Sequence, residues 1–287
     1  MHRLRVACAR QAGIVRRYPL AATLVLASFA RVLWVGYRMH QMPHAVGYLA
    51  AVWVSTLALD FLVTDGGEEF PIRQPVWHEL PLIVGCTALG FVALLIRYSG
   101  YWHDLMGLAR LGCFGIMLLF MFPLALAGVY LLVWRYRPRE LGVRLQGWSV
   151  APVVLGIFGG MTSVVARHGN MWSKLFHAWG LWWMLWIGLV EAALSEEFTR
   201  MLLQTRLALA FRNRGLGFVA ATVIWACLHM PRFRAESFGA WTGAFFGAVT
   251  IMPVGFLWGY LTYRTKSLLP AVLVHGLNYW GLQNFIG

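Results

Sequence analysis

Apolar runs divide the chain at roughly 19–37, 45–63, 79–97, 110–134, 150–166, 178–205, 215–230, 239–262 and 267–286, with short polar stretches between them. Most are near the ~20 residues that carry a helix across the ~30 Å hydrocarbon core of a bilayer. The runs are unbroken, whereas barrel strands alternate with period two. The pattern predicts an all-α, polytopic membrane protein with about eight or nine transmembrane helices, the run 150–166 being the shortest. Trp and Tyr cluster near several run ends, as interface anchors do. No repeat, low-complexity tract or domain-sized polar segment interrupts the series, so 1–287 reads as a single membrane domain.

Composition sharpens this picture. The chain is 60% hydrophobic and only 12% charged, with a mean hydropathy of +0.64. A soluble domain of 287 residues needs far more charge to cover its surface. The formal net charge is +13. Its carriers sit mostly between the apolar runs, so they point to topology and anionic lipid headgroups rather than to nucleic acid. Basic residues collect at Arg3, Arg5, Arg10, Arg16 and Arg17, at Arg135–Arg139, at Arg206, Arg212 and Arg214, and at Arg264 and Lys266. The excess of Lys and Arg predicts a cytoplasmic N-terminus with these loops on the same side. The acidic stretch Asp65–Glu69 falls on that side too. Ser28-Phe-Ala30 offers a small-residue cleavage site, but a retained first span is the preferred reading. Four cysteines without a CxxC pair give no disulfide framework and no Cys-based zinc site. Cys227 and His229, two residues apart, point to different sides of a helix.

Against this background a few ionisable residues stand out. Glu196, Glu197 and Arg200 follow a run of Trp, Leu, Ile and Met; His229 ends the run from Phe218; His275 lies inside the last run, with Asn278 three residues on. Such groups in hydrocarbon cost at least ~2.5–3.5 kcal/mol each, so they mark a polar cavity or chemistry. On a helix both Glu196 and Glu197 come within reach of Arg200. A buried ion pair holding two helices is the plainest explanation. The doubled carboxylate goes further, because one Arg neutralises one Glu and leaves the second to act as a base. Trp225 and His229 are at i,i+4.

Depth is a crude check. At ~1.5 Å rise per residue, Glu196 lies ~24 Å from Arg212 and His229 ~21 Å from Gly215, which puts them at one level. His275 lies only ~13 Å from Lys266, a mismatch of one to two turns. The chemistry that fits is hydrolysis. A carboxylate takes a proton from water, a His shuttles it, and a second His with an Asn amide donates to the oxyanion of a tetrahedral intermediate.

Glu196-Glu197-Phe-Thr-Arg200, Trp225-Ala-Cys-Leu-His229 and His275-Gly-Leu-Asn278 resemble the three motifs of the CAAX-protease and bacteriocin-processing (CPBP, or Abi) family of intramembrane endopeptidases. The approach Tyr263–Val274 and the lead-in Arg139–Arg144 are also similar to the family's, so the resemblance covers about 139–281. Residues 1–138 form N-terminal spans outside it, and 139–287 form the CPBP-like core. The chain departs from the pattern in three places. Two residues, not three, separate the Glu pair from Arg200. Trp225 stands where the family usually has Phe. Asn278 comes one residue early, with Tyr279 at the family's more common Asn position. Matching from Arg200 backward puts Ser195 in place of the first Glu; matching from the pair makes Glu196 the base, and is preferred.

The resemblance implies an endopeptidase in which Glu196 activates water with help from His229, His275 and Asn278 (or Tyr279) hold the oxyanion, and Arg200 orients the pair Glu196 and Glu197. Family members have been described both as metalloproteases and as metal-free glutamate proteases. A zinc ion would take Glu196, His229 and His275 as ligands; with no HExxH helix, the metal-free reading is preferred. The implied substrate is a peptide or protein that is lipid-modified or membrane-anchored, and the implied location a bacterial inner membrane. The competing reading is a non-catalytic transporter or partner-binding scaffold on the same fold, to which Pro253, inside the eighth run, would contribute a broken helix.

Overall fold

A computed structural model of the chain describes residues 2–64, 68–98, 122–166, 180–235 and 239–279. Among these the secondary structure is helical, without strands. The helices are α1 (His2–Arg17), α2 (Pro19–Arg38), α3 (Met42–Leu62), α4 (Val76–Tyr98), α5 (Phe122–Val133) and α6 (Val150–Ala166). Next come α7 (181–210), α8 (Arg214–Leu228) continued by a turn of helix at Met230–Phe233, α9 (Trp241–Thr265) and α10 (Leu269–Tyr279). The polytopic, all-α expectation holds. Among the described residues five helices are long and apolar enough to cross a bilayer, namely α2, α3, α4, Arg214–Phe233 and α9; Phe122–Val133, Val150–Thr162 and Leu269–Asn278 are shorter apolar helices. The parts of the expected runs at 110–121 and 280–286 lie outside the described residues.

Two expectations change. First, residues 2–17 form a helix although they hold no apolar run. The segment is built of good helix formers, and Pro19 at the first turn of α2 starts the next helix where a proline is tolerated. Arg10 and Gln11 of α1 reach the buried carboxylate of Asp60 at the end of α3, at 3.3 and 3.4 Å. Arg264 and Tyr260 of α9 meet the same carboxylate at 2.8 Å, so one anion ties three helices. Second, Pro253 does not end α9. The helix runs through it, the Val254 amide donates to the Tyr48 hydroxyl, and the Gly255 carbonyl accepts from Arg200.

One buried cluster joins α2, α3, α6, α8, α9 and α10; another joins α4, α5 and α7. In the second, Glu79 of α4 is fully buried and held by Arg206 at 2.5 Å, by the Tyr130 hydroxyl at 2.6 Å and by Tyr136. Isolated, that carboxylate would be prohibitive in an apolar interior; with one guanidinium and two phenols it is satisfied.

The basic segments and the acidic stretch meet at one end of the bundle. Glu69 pairs with Lys266 at 3.0 Å and with Arg214 at 3.3 Å, and Arg144 donates to the Glu68 carbonyl. At this end the turn from α9 to α10 is sunk into the protein. Thr265, Ser267 and Leu268 are buried, the Leu268 amide donates to the Gly142 carbonyl, and the Ser267 hydroxyl donates to the Arg144 carbonyl. Gly142 adopts a φ of +83°, and a Cβ there would press on Leu268 at 2.9 Å, so the covering segment needs glycine both for its turn and for its closeness. Because α10 starts beneath this cover, the mismatch of one to two turns expected for His275 disappears.

Candidate active site

The site sits where α7, α8, α9 and α10 meet. In α7 the stretch Trp186–Leu194 is π-helical and passes into regular α-helix at Ser195. A wider turn of this kind is frequent at functional sites, and it changes which side chains share a face. Here Glu191, Ser195, Glu196, Thr199 and Arg200 all line one cavity of about 220 Å³. Trp225 and His229 of α8 line it as well, and α4 and α5 supply apolar walls such as Leu94 and Leu126.

The two glutamates have different surroundings. Glu197 is buried, and both of its oxygens are engaged. Arg200 holds Oε2 and His275 Nδ1 lies 2.9 Å from Oε1. The Arg200 guanidinium also donates to the Gly255 carbonyl at 2.6 Å and lies over the rings of Trp225 and Trp258. Glu196 faces the cavity with 26% of its side chain exposed. Its Oε2 accepts from the Trp225 indole N–H at 2.5 Å. Its Oε1 lies 3.9 Å from His229 Nε2, and its Oε2 lies 3.9 Å from His275 Nε2. Of the two carboxylates expected beside Arg200, only the i,i+3 partner is bonded to it.

Each imidazole is held by its other nitrogen. His229 Nδ1 is 3.1 Å from the Trp225 carbonyl, which only accepts, so Nδ1 carries a proton and Nε2 faces Glu196. His275 is buried, stacked flat on Trp258 at 3.7 Å, and faces Glu197 with Nδ1. Gly276 allows this placement. A Cβ there would lie 2.8 Å from the Gly188 carbonyl oxygen, so α10 and the π-helical stretch of α7 touch backbone to backbone.

Five of the six residues singled out in the sequence are thus gathered within a few ångströms: Glu196, Glu197, Arg200, His229 and His275. Asn278 lies one turn beyond His275, and its side-chain oxygen is buried without a hydrogen-bond partner among the described residues. The side chain of Tyr279 is outside the described residues. Sequence reasoning missed the indole bond to Glu196 and the Trp258 stack. The first had a signal in the replacement of the usual Phe by Trp225; the second had none, since Trp258 is one aromatic among many in an apolar run.

Glu196, His229 and His275 are the donor set that a zinc ion would take. Ligands ~2.0–2.1 Å from a tetrahedral zinc stand ~3.3 Å from one another. The 3.9 Å separations here are wider, and among the described residues no group of three His, Cys, Asp or Glu forms a metal site. No step below is routed through a metal ion.

Residues 177–281 match the family model described as "Type II CAAX prenyl endopeptidase Rce1-like". The match covers just over a third of the chain and contains all three motifs, so the resemblance read in the sequence is borne out. It begins at 177, later than the 139 expected, and leaves the lead-in Arg139–Arg144 outside. No curated protein and no solved structure matches the chain significantly.

Proposed function

We propose that this protein is an intramembrane endopeptidase of the glutamate type, acting on the tail of a lipid-modified or membrane-anchored protein. The observation that carries the reading is the unequal use of the two carboxylates. Both oxygens of Glu197 are consumed by Arg200 and His275, whereas Glu196 presents Oε1 to the cavity opposite His229 Nε2. A water between these two groups gives its proton to Glu196, and the hydroxide attacks the scissile carbonyl carbon. The proton passes to the departing amine, directly or through His229, as the C–N bond breaks.

The oxyanion needs donors. With Nδ1 against a carboxylate, His275 donates from Nε2 when it carries both protons, and the charges of Glu196, Glu197, Arg200 and His275 then sum to zero. The Asn278 amide is the second donor. An apolar cavity strengthens each of these interactions. The substrate class rests on the family match, whose description names prenyl endopeptidases. The gathering of α1 and the basic loops at one end of the bundle supports a cytoplasmic N-terminus.

The test is cleavage of a farnesylated peptide ending in a CAAX-type tail by the purified protein in detergent, with mass analysis of the products and with a chelator arm. A new carboxyl terminus at the lipidated cysteine, insensitive to chelator, supports the reading. Cleavage lost to chelator and restored by zinc contradicts the glutamate type.

A further inference from the structure

Trp225 stands where the family usually carries Phe, and a Phe ring has no hydrogen to donate. Its indole is held in one orientation. The ring is buried, Trp258 meets it edge to face at 5.5 Å, and Arg200 lies 5.2 Å over it. Gly255 closes the other approach, since a Cβ there would lie 2.5 Å from Cζ3 of the indole. With the ring so fixed, Nε1–H aims at Glu196 Oε2 at 2.5 Å. The backbone carbonyl of the same residue accepts from His229 Nδ1, 3.1 Å away.

We infer that Trp225 is a positioning residue: its indole N–H ties down Oε2 of Glu196 and leaves Oε1, on the His229 side, as the oxygen that takes the proton from water. One residue thereby orients both partners of the water, the carboxylate through its side chain and the imidazole through its backbone.

The inference rests on the glutamate-type reading, and the experiment separates the two. kcat and KM are measured for wild type, Trp225→Phe and Glu196→Gln on one lipidated peptide. In parallel the indole N–H resonances of protein labelled with 15N at tryptophan are recorded, the Trp225 signal being identified by its loss in Trp225→Phe. Glu196→Gln is expected to be inactive. Trp225→Phe is expected to keep cleavage at about one-tenth of the wild-type kcat with KM unchanged, as a misplaced base does. The Trp225 indole signal is expected far downfield in wild type and to move upfield in Glu196→Gln.

An unmoved signal in Glu196→Gln overturns the inference, whatever the activity of Trp225→Phe. A kcat for Trp225→Phe equal to that of wild type overturns the inference while the function stands. Full cleavage by Glu196→Gln overturns the function itself, and with it the role assigned to Trp225.

Discussion

His275 Nδ1 lies 2.9 Å from Glu197 Oε1, and Arg200 holds the other oxygen of that carboxylate, so one buried anion ties the last helix to α7. Removing it leaves Arg200 unpaired at 1% exposure. Breaking a buried pair on one side costs about 3–5 kcal/mol. Glu197→Gln is therefore expected to lower the thermal midpoint in detergent sharply, whereas Glu196→Gln leaves it within a few degrees of wild type. Fluorescence-monitored melting of the two variants checks this; equal midpoints would remove the distinction drawn between the carboxylates.

Gly276→Ala is expected to separate stability from activity. The added methyl meets the Gly188 carbonyl oxygen and Leu189 at 2.8 Å. Overpacking of this kind costs about 1–3 kcal/mol. The same push moves His275 away from Glu196, so kcat is expected to fall at least about tenfold, as small misplacements in a site do. Steady-state kinetics at a temperature well below the melting point checks this.

The cluster of Glu79 with Arg206 is expected to act on stability alone. Arg206→Met leaves a buried carboxylate unpaired and costs about 3–5 kcal/mol, while the double variant Glu79→Leu, Arg206→Met recovers much of that loss. Cleavage per folded molecule stays near wild type in both. A double-mutant cycle by thermal melting supplies the coupling energy, and additive effects would contradict the assignment.

The segment that covers the buried turn carries a pH-dependent clamp. Glu140 accepts from the Arg137 amide and pairs with Arg73. These interactions, the backbone amide first, hold its carboxyl below the usual carboxylate range. A lowered folded-state value means that the stabilisation is present above the unfolded value of about 4.3 and fades as pH falls through the folded one. Glu140→Gln should therefore melt below wild type at pH 7, with the gap closing below about pH 4. A gap independent of pH would show that the clamp is not ionic.

Much of this arrangement was legible in the sequence, because ionisable residues inside apolar runs are rare enough to be informative. Glu196, His229 and His275 announced a shared site on that ground alone. The pairing within the site was not legible. Both glutamates fall within helical reach of Arg200, and only packing, with Glu197 turned inward against His275, decides between them. The π-helical stretch of α7 leaves no mark in a run of Trp, Ile, Leu and Ala, although it sets which residues line the cavity. Helix α1 escaped because hydropathy detects spans, and its contacts are polar ones to Asp60. The depth of His275 was not legible, because counting rise from Lys266 assumes that α10 begins at the surface, whereas 138–148 covers its start.

The most direct test of the central claim is the rate of cleavage of one lipidated peptide by Glu196→Gln relative to wild type, both confirmed folded by melting. The account predicts a fall of at least about a thousandfold with substrate binding retained, as expected when the group that activates the water is lost. Cleavage within about tenfold of wild type would contradict it, and would show that Glu196 is not the base.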